Sequence, residues 1–211
     1  MKVQLQVHLN DGGTDSASIS TLIDELKAFN IHTLKGDQEK KAFWINVYNG
    51  LTNYFIIHHH IKETVWEVEG FFKNLSVHIG TLTFSLDDIE HGILRKNGVR
   101  RNDKPLQFSA GEPKMKLMLN EIDPRIHFAL NCGSISCPHI AFYSAGNINQ
   151  ELALAEKSFV DAEFVVNHEL KTIDCSPIFD WYRSDFKNTY LGDPALQGYE
   201  VQLREYHWTL R

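Results

Sequence analysis

Lys41-Ala42-Phe43-Trp44-Ile45-Asn46-Val47-Tyr48-Asn49-Gly50-Leu51-Thr52-Asn53-Tyr54-Phe55 is the stretch on which the fold turns. Trp44, Tyr48, Leu51 and Phe55 recur at helical spacing on one face, with Phe43, Val47 and Tyr54 beside them. Ile45 and Ile56 cover the opposite flank. The spacing therefore predicts a helix over residues 37–60 that is apolar nearly all round, and such a helix has to be buried. The one narrow stripe left holds Asn46, Asn49 and Asn53 at i, i+3 and i+7. A buried amide left unpaired costs about 1–3 kcal/mol, so these side chains either pin neighbouring loops or line a polar cleft. His58, His59 and His60 close the helix, where the dipole favours them as caps.

Shorter elements of both kinds flank this helix. Residues 3–9 alternate with period two, as a half-buried strand does. Residues 18–29 read as an amphipathic helix, and residues 75–86 as two short strands around Gly80. Ser85 with Asp88 forms a capping box that starts a helix to about residue 96. A polar loop over 97–112, a short helix over 114–120, a strand over 125–131 and a helix over 149–159 follow. Residues 164–166 and 171–173 make a hairpin, Ser176-Pro177 starts a helix to about residue 190, and the tail alternates like a terminal strand pair. The expectation is α+β: a single domain over 1–211, mainly antiparallel sheet with packed helices and one long buried helix.

Composition narrows the function. With 211 residues, 43% of them hydrophobic, the chain has enough apolar content for a full core, which excludes disorder. A net charge of −6 argues against nucleic-acid binding through bulk basicity. No run reaches the roughly 18–20 apolar residues that cross a membrane, and the alternating N-terminal stretch is unlike a secretory leader, so a cytoplasmic protein is expected. Three cysteines are too few to make disulfides the organising principle.

Two further local anomalies point to chemistry. In the Ser85 helix, Glu90 falls inside the apolar stripe of Leu86, Ile89, Ile93 and Leu94, and a buried carboxylate must be paired or have a raised pKa. His91 stands next to it, so the two can serve as acid, base or orienting pair. After residues 126–130 comes the turn Asn131-Cys132-Gly133-Ser134-Ile135-Ser136-Cys137-Pro138. Its Gly133 permits unusual backbone angles, and its N–H groups can form a nest that lowers a thiol pKa or holds an oxyanion. The alternative is that both cysteines are small buried hydrophobes. The C-x4-C spacing is neither a zinc knuckle nor the usual redox C-x-x-C, so no metal or other cofactor is expected. Residues 95–101 read as a solvated basic loop, and Trp181, Tyr182, Phe186 and Trp208 as core aromatics.

Three blocks together resemble the family called domain of unknown function 547. They are residues 41–49, residues 86–95 (Leu86-Asp87-Asp88-Ile89-Glu90-His91-Gly92-Ile93-Leu94-Arg95) and residues 123–138. Trp181-Tyr182 with Asp185-Phe186, and Tyr206-His207-Trp208-Thr209-Leu210, are similar to the family's downstream region, with His207 where an acidic residue is expected. The resemblance covers about residues 38–211, as a family-like core over 38–142 and a C-terminal α/β extension over 143–211. It implies no established reaction, but it places the asparagine stripe, the Glu90-His91 pair and the cysteine turn in one family.

The leading expectation is a thiol enzyme acting on an acyl, amide or ester group. Cys132 is its nucleophile, with His91 or His127 as base, Glu90 orienting an imidazole, and Cys137 as the second candidate sulfur. His127, five residues before Cys132 on a regular strand, would face the other way, which favours His91. Asn46, Asn49, Asn131, Gly133, Ser134 and Ser136 are the expected substrate contacts, for an unidentified small molecule or peptide. The alternatives are a protein-interaction module with a protein partner, and a redox or metal-binding protein using Cys132 and Cys137.

Overall fold

The computed structural model describes residues 16–98 and 106–211; the N-terminal strand expected over 3–9 and residues 99–101 of the basic loop lie outside them. Helix α1 (Ser16–Ala28) is followed by the long helix α2 (Gly36–His58). Trp44, Ile45, Val47, Tyr48, Leu51 and Phe55 of α2 are all buried, as their all-round apolar pattern requires. A four-residue helix, α3 (Phe71–Asn74), leads into the antiparallel hairpin β1 (Ser76–Ile79) and β2 (Leu82–Ser85), in which Val77 pairs with Phe84. Gly80, at φ +59, turns this hairpin where any Cβ would meet the Phe29 carbonyl at 2.7 Å.

Helix α4 (Ile148–Glu163) leads into a three-stranded sheet of β3 (Phe164–Asn167), β4 (Thr172–Cys175) and β5 (Glu200–Leu203). β3 pairs with β4 antiparallel, whereas β5 joins β4 in parallel. The two elements of fold class read from the sequence, interleaved helices with short antiparallel strands and one long buried helix, are both present. One apolar cluster surrounds α2; a second gathers Phe128, Phe159, Ile173, Cys175, Phe179 and Phe186 under the C-terminal sheet.

Four local expectations are corrected. The helix begun by Ser85 carries its capping box, with reciprocal 3.1 Å bonds between Ser85 and Asp88, but runs as a π-helix over Asp88–Leu94. Residues 125–131 are not a strand: Asp123 caps Arg125 and Pro124 occupies the first turn, so Pro124–Phe128 is 3-10 helical. The helix after Ser176-Pro177 breaks into α5 (Ile178–Trp181) and α6 (Arg183–Phe186), and Lys187 at φ 52 prevents continuation. The tail is not a strand pair. Beyond β5 it crosses the cysteine turn, making single bridges from Thr209 to Thr64 and from Leu210 to Ser134.

Asp123 ties this frame together. Its carboxylate accepts from Lys41 Nζ at 2.6 Å and from Arg125 Nε and Nη2 at 2.8 Å each. Burial opposes the charge, but these bonds and the two cations lower its pKa to about 2. A lowered folded pKa stabilises the fold above the unfolded value, near 3.8. That contribution, about 2 kcal/mol, is lost as pH falls from about 4 towards 2. In acid unfolding, Asp123→Asn should therefore flatten the stability decline across that window, relative to the native chain.

Candidate active site

Asp87, His91 and Arg95, each four residues from the next, stand along one side of the π-helix. His91 Nε2 lies 3.8 Å from both Asp87 Oδ1 and Glu90 Oε1. Arg95 Nη1 meets His91 Nδ1 at 3.0 Å, and since arginine only donates, that ring nitrogen accepts. Gly92 permits this turn to pack, for a Cβ there would sit 2.1 Å from the Phe108 ring.

Arg95, expected in a solvated loop, is 2% exposed. Its Nε and Nη2 form a fork on the Asp185 carboxylate at 2.6 and 3.0 Å, and His127 Nε2 joins the same carboxylate at 2.9 Å. These bonds hold the Asp185 carboxyl well below the usual range against the opposing effect of burial. Burial in turn lowers the His127 pKa against the opposing pull of Asp185. The imidazole stacks on Tyr182 with centroids 3.8 Å apart.

Glu90 is buried, as its place in the apolar stripe foretold, and its partners are two phenols. Tyr48 donates at 3.1 Å and Tyr182 at 2.5 Å. Burial raises the Glu90 pKa, but His91, the Tyr182 hydroxyl, His127 and Arg95 together bring it below the ordinary value, so it is ionised. Burial and the Glu90 charge push both tyrosines well above their usual pKa, which keeps them as donors.

Cys132 and Cys137, expected as free thiols, are joined as a disulfide. Gly133 at φ +90 makes the turn that brings their Cα atoms to 6.3 Å. Cys137 is buried and Cys132 only partly so. The Cys137 sulfur accepts the Cys132 N–H at 3.0 Å and lies 3.1 Å from the Tyr206 hydroxyl, which is 3.4 Å from Cys132 Sγ. Burial pushes the Tyr206 pKa up to about 12, so it too stays protonated. The third cysteine, Cys175, lies apart in the second core, its thiol pushed up to about 11 by burial.

These groups converge on a cleft of about 350 Å³, walled by Trp66, Phe72, Trp181, Tyr182, Tyr206 and Trp208 and floored by Tyr48, Glu90, His91, Arg95, His127, Cys132 and Cys137. His127 and Cys132 share it because the segment before the turn is helical rather than extended. The asparagines sit elsewhere. Asn46 clasps the Tyr143 backbone, Asn49 bonds Ala129 O and Asn131 N, and Asn131 itself bonds Pro138 O and Gly133 N. Ser134 contacts Tyr206, and Ser136 accepts the His207 N–H, so both fasten the tail. Among the described residues, no group of three or more His, Cys, Asp or Glu is placed to hold a metal ion, and no helix is long and apolar enough to cross a membrane.

Sequence reading missed Arg95, Asp185, Tyr182, Trp181, Tyr206 and Trp208 as parts of the site. Arg95 carried a usable signal, standing one turn after His91. The aromatic residues carried none, because a cleft ring and a core ring share the same spacing.

A family model described as "Protein of unknown function, DUF547" matches residues 31–160, more than half of the chain. The matched span contains the π-helix and both bonded cysteines, and it ends before Trp181, Asp185, Tyr206 and Trp208. No curated protein and no solved structure matches the chain.

Proposed function

The chain belongs to the DUF547 family, whose description assigns no reaction, and from the cleft itself we propose that it is a thiol–disulfide exchange protein working through Cys132 and Cys137. The observation that carries this reading is the unequal setting of the two bonded sulfurs on the floor of the cleft. Cys132 is the more exposed, while Cys137 receives a backbone N–H and lies nearer the protonated Tyr206 phenol, at 3.1 Å against 3.4 Å. A substrate thiolate attacks Cys132 Sγ, the Cys132–Cys137 bond breaks, and Cys137 leaves as a thiolate stabilised by those two donors. A second substrate thiolate then attacks the substrate sulfur of the mixed disulfide and releases Cys132. Two substrate thiols become one disulfide, and the protein gains two electrons as a dithiol. The reverse sequence oxidises the protein. In a reducing cytoplasm such a pair works transiently rather than as a staple.

The hydrolytic alternative needs an imidazole nitrogen beside a free Cys132 thiol. Cys132 Sγ is instead bonded to Cys137, and its hydrogen-bonding neighbours are the Ser134 and Tyr206 hydroxyls. The redox reading also suits the size of the ring that the bond closes. With a sequence separation of 5, the crosslink contributes only about 2 kcal/mol through chain entropy, less than a long-range staple.

The test is stopped-flow oxidation of the reduced, folded protein by 2-hydroxyethyl disulfide. Two thiols should be released per chain and the Cys132–Cys137 bond restored, faster than for a short peptide carrying the same turn. Exchange no faster than the peptide would overturn it. Tyr206→Phe removes one donor to the Cys137 thiolate. A hydrogen bond to a charged group contributes about 1.5–3 kcal/mol, so the rate should fall roughly ten- to hundredfold. The pKa for alkylation of Cys137 should rise in the same variant, a change that loosened packing alone would not direct to that sulfur.

A further inference from the structure

Four of the rings around the disulfide pack on one another, three pairs at steep angles and Trp181 with Trp208 nearly parallel, 18° apart at 6.0 Å. Trp66 meets Trp208 at 4.8 Å and 64°, Tyr206 meets Trp208 at 4.7 Å and 54°, and Trp181 meets Tyr206 at 4.8 Å and 50°. All four rings line the cleft, and each carries a negative quadrupole on its faces. The wall already hosts one cation: the Arg95 guanidinium lies 5.1 Å from the Tyr182 centroid. That cation is held by the Asp185 carboxylate, whereas Glu90 on the cleft floor takes its hydrogen bonds from the Tyr48 and Tyr182 phenols, with His91 Nε2 further off at 3.8 Å. Aromatic faces and a carboxylate therefore meet in a space of small-molecule size.

We infer that the cleft selects small thiols and disulfides that carry an alkylammonium group, with the cation held by the Trp66–Trp181–Tyr206–Trp208 faces and Glu90 while its sulfur meets Cys132. This rests on the exchange reading and names its substrate class. Anionic thiols are disfavoured by the same carboxylate and rings.

Three disulfides of similar size but different charge test it: cystamine, 2-hydroxyethyl disulfide and 3,3′-dithiodipropionate. Each is reacted with the reduced, folded protein, and each rate is divided by that for free cysteine thiolate. Cystamine should lead the neutral reagent by about tenfold or more, as cation–π and charge attraction in a partly desolvated site allow. The anionic reagent should trail, and Glu90→Gln should shrink the cystamine lead. Equal normalised rates overturn the inference and leave the exchange reading standing. If none of the three reacts faster than the control, the exchange reading fails. Titration of the oxidised native protein with tetramethylammonium then decides the cation site by itself. Saturable tryptophan fluorescence change, absent with sodium at equal concentration, supports the site, and no change overturns it.

Discussion

Replacing Asp185 by alanine should destabilise the protein by about 3–5 kcal/mol, the cost of breaking a buried ion pair from one side. Arg95 is 2% exposed and directs two of its nitrogens to this carboxylate, and His127, 4% exposed, directs its Nε2 there as well. Removing the carboxylate leaves a buried guanidinium without its fork and a buried imidazole without its acceptor. Asp185→Asn keeps the shape and some hydrogen bonding while losing the charge, so it should cost less, about 1.5–3 kcal/mol. Removing both charges together, as Arg95→Met with Asp185→Leu, should recover the part of the loss due to the unpaired guanidinium, while His127 still lacks its acceptor. Urea unfolding checks the series, provided the slopes match so that midpoints can be compared. A loss below 1 kcal/mol for Asp185→Ala would mean that this cluster does not hold the C-terminal helices to the π-helix.

The two single-cysteine variants should behave in opposite ways. Cys137→Ser retains the attacking sulfur but lacks the one that resolves the intermediate, so with excess disulfide it should accumulate one stable mixed disulfide per chain at Cys132. Cys132→Ser retains only the buried sulfur and should lose exchange altogether, its Cys137 reacting with alkylating reagents at rates nearer to those of Cys175. The asymmetry follows from exposure and from the donors around Cys137. Peptide mass mapping after acid quenching reads it directly. Equal trapping at both positions would remove the distinction between attacking and resolving sulfurs.

Local chemistry made part of this architecture legible. The helix around Trp44 follows from its apolar spacing, the hairpins from short β-rich runs around Gly80 and residues 167–171, and the start of the π-helix from the Ser85–Asp88 capping box. The buried state of Glu90 followed from its place in an apolar stripe. What stayed hidden depends on partners far away in sequence. Tyr182 is 92 residues from Glu90, Asp185 is 90 from Arg95, and Tyr206 is 69 from Cys137. The wide turn of the π-helix likewise leaves no periodic signal over seven residues. At Pro124, the start signal for a helical turn was present but overshadowed by the apolar run that follows it. Of the asparagine stripe, Asn49 and Asn53 are buried and Asn46 partly so, and Asn46 and Asn49 hold backbone rather than face the cleft.

The proposed function requires Cys132 and Cys137 to pass between dithiol and disulfide while the protein remains folded. Equilibrating the native protein across dithiothreitol redox buffers tests it most directly, with alkylation and mass spectrometry reading the bonded fraction and circular dichroism reading the fold. One reversible two-electron transition confined to Cys132 and Cys137 is expected, with Cys175 unchanged and the fold retained on both sides. A pair that stays bonded until the chain unfolds, or a chain that unfolds as the bond is reduced, would contradict it.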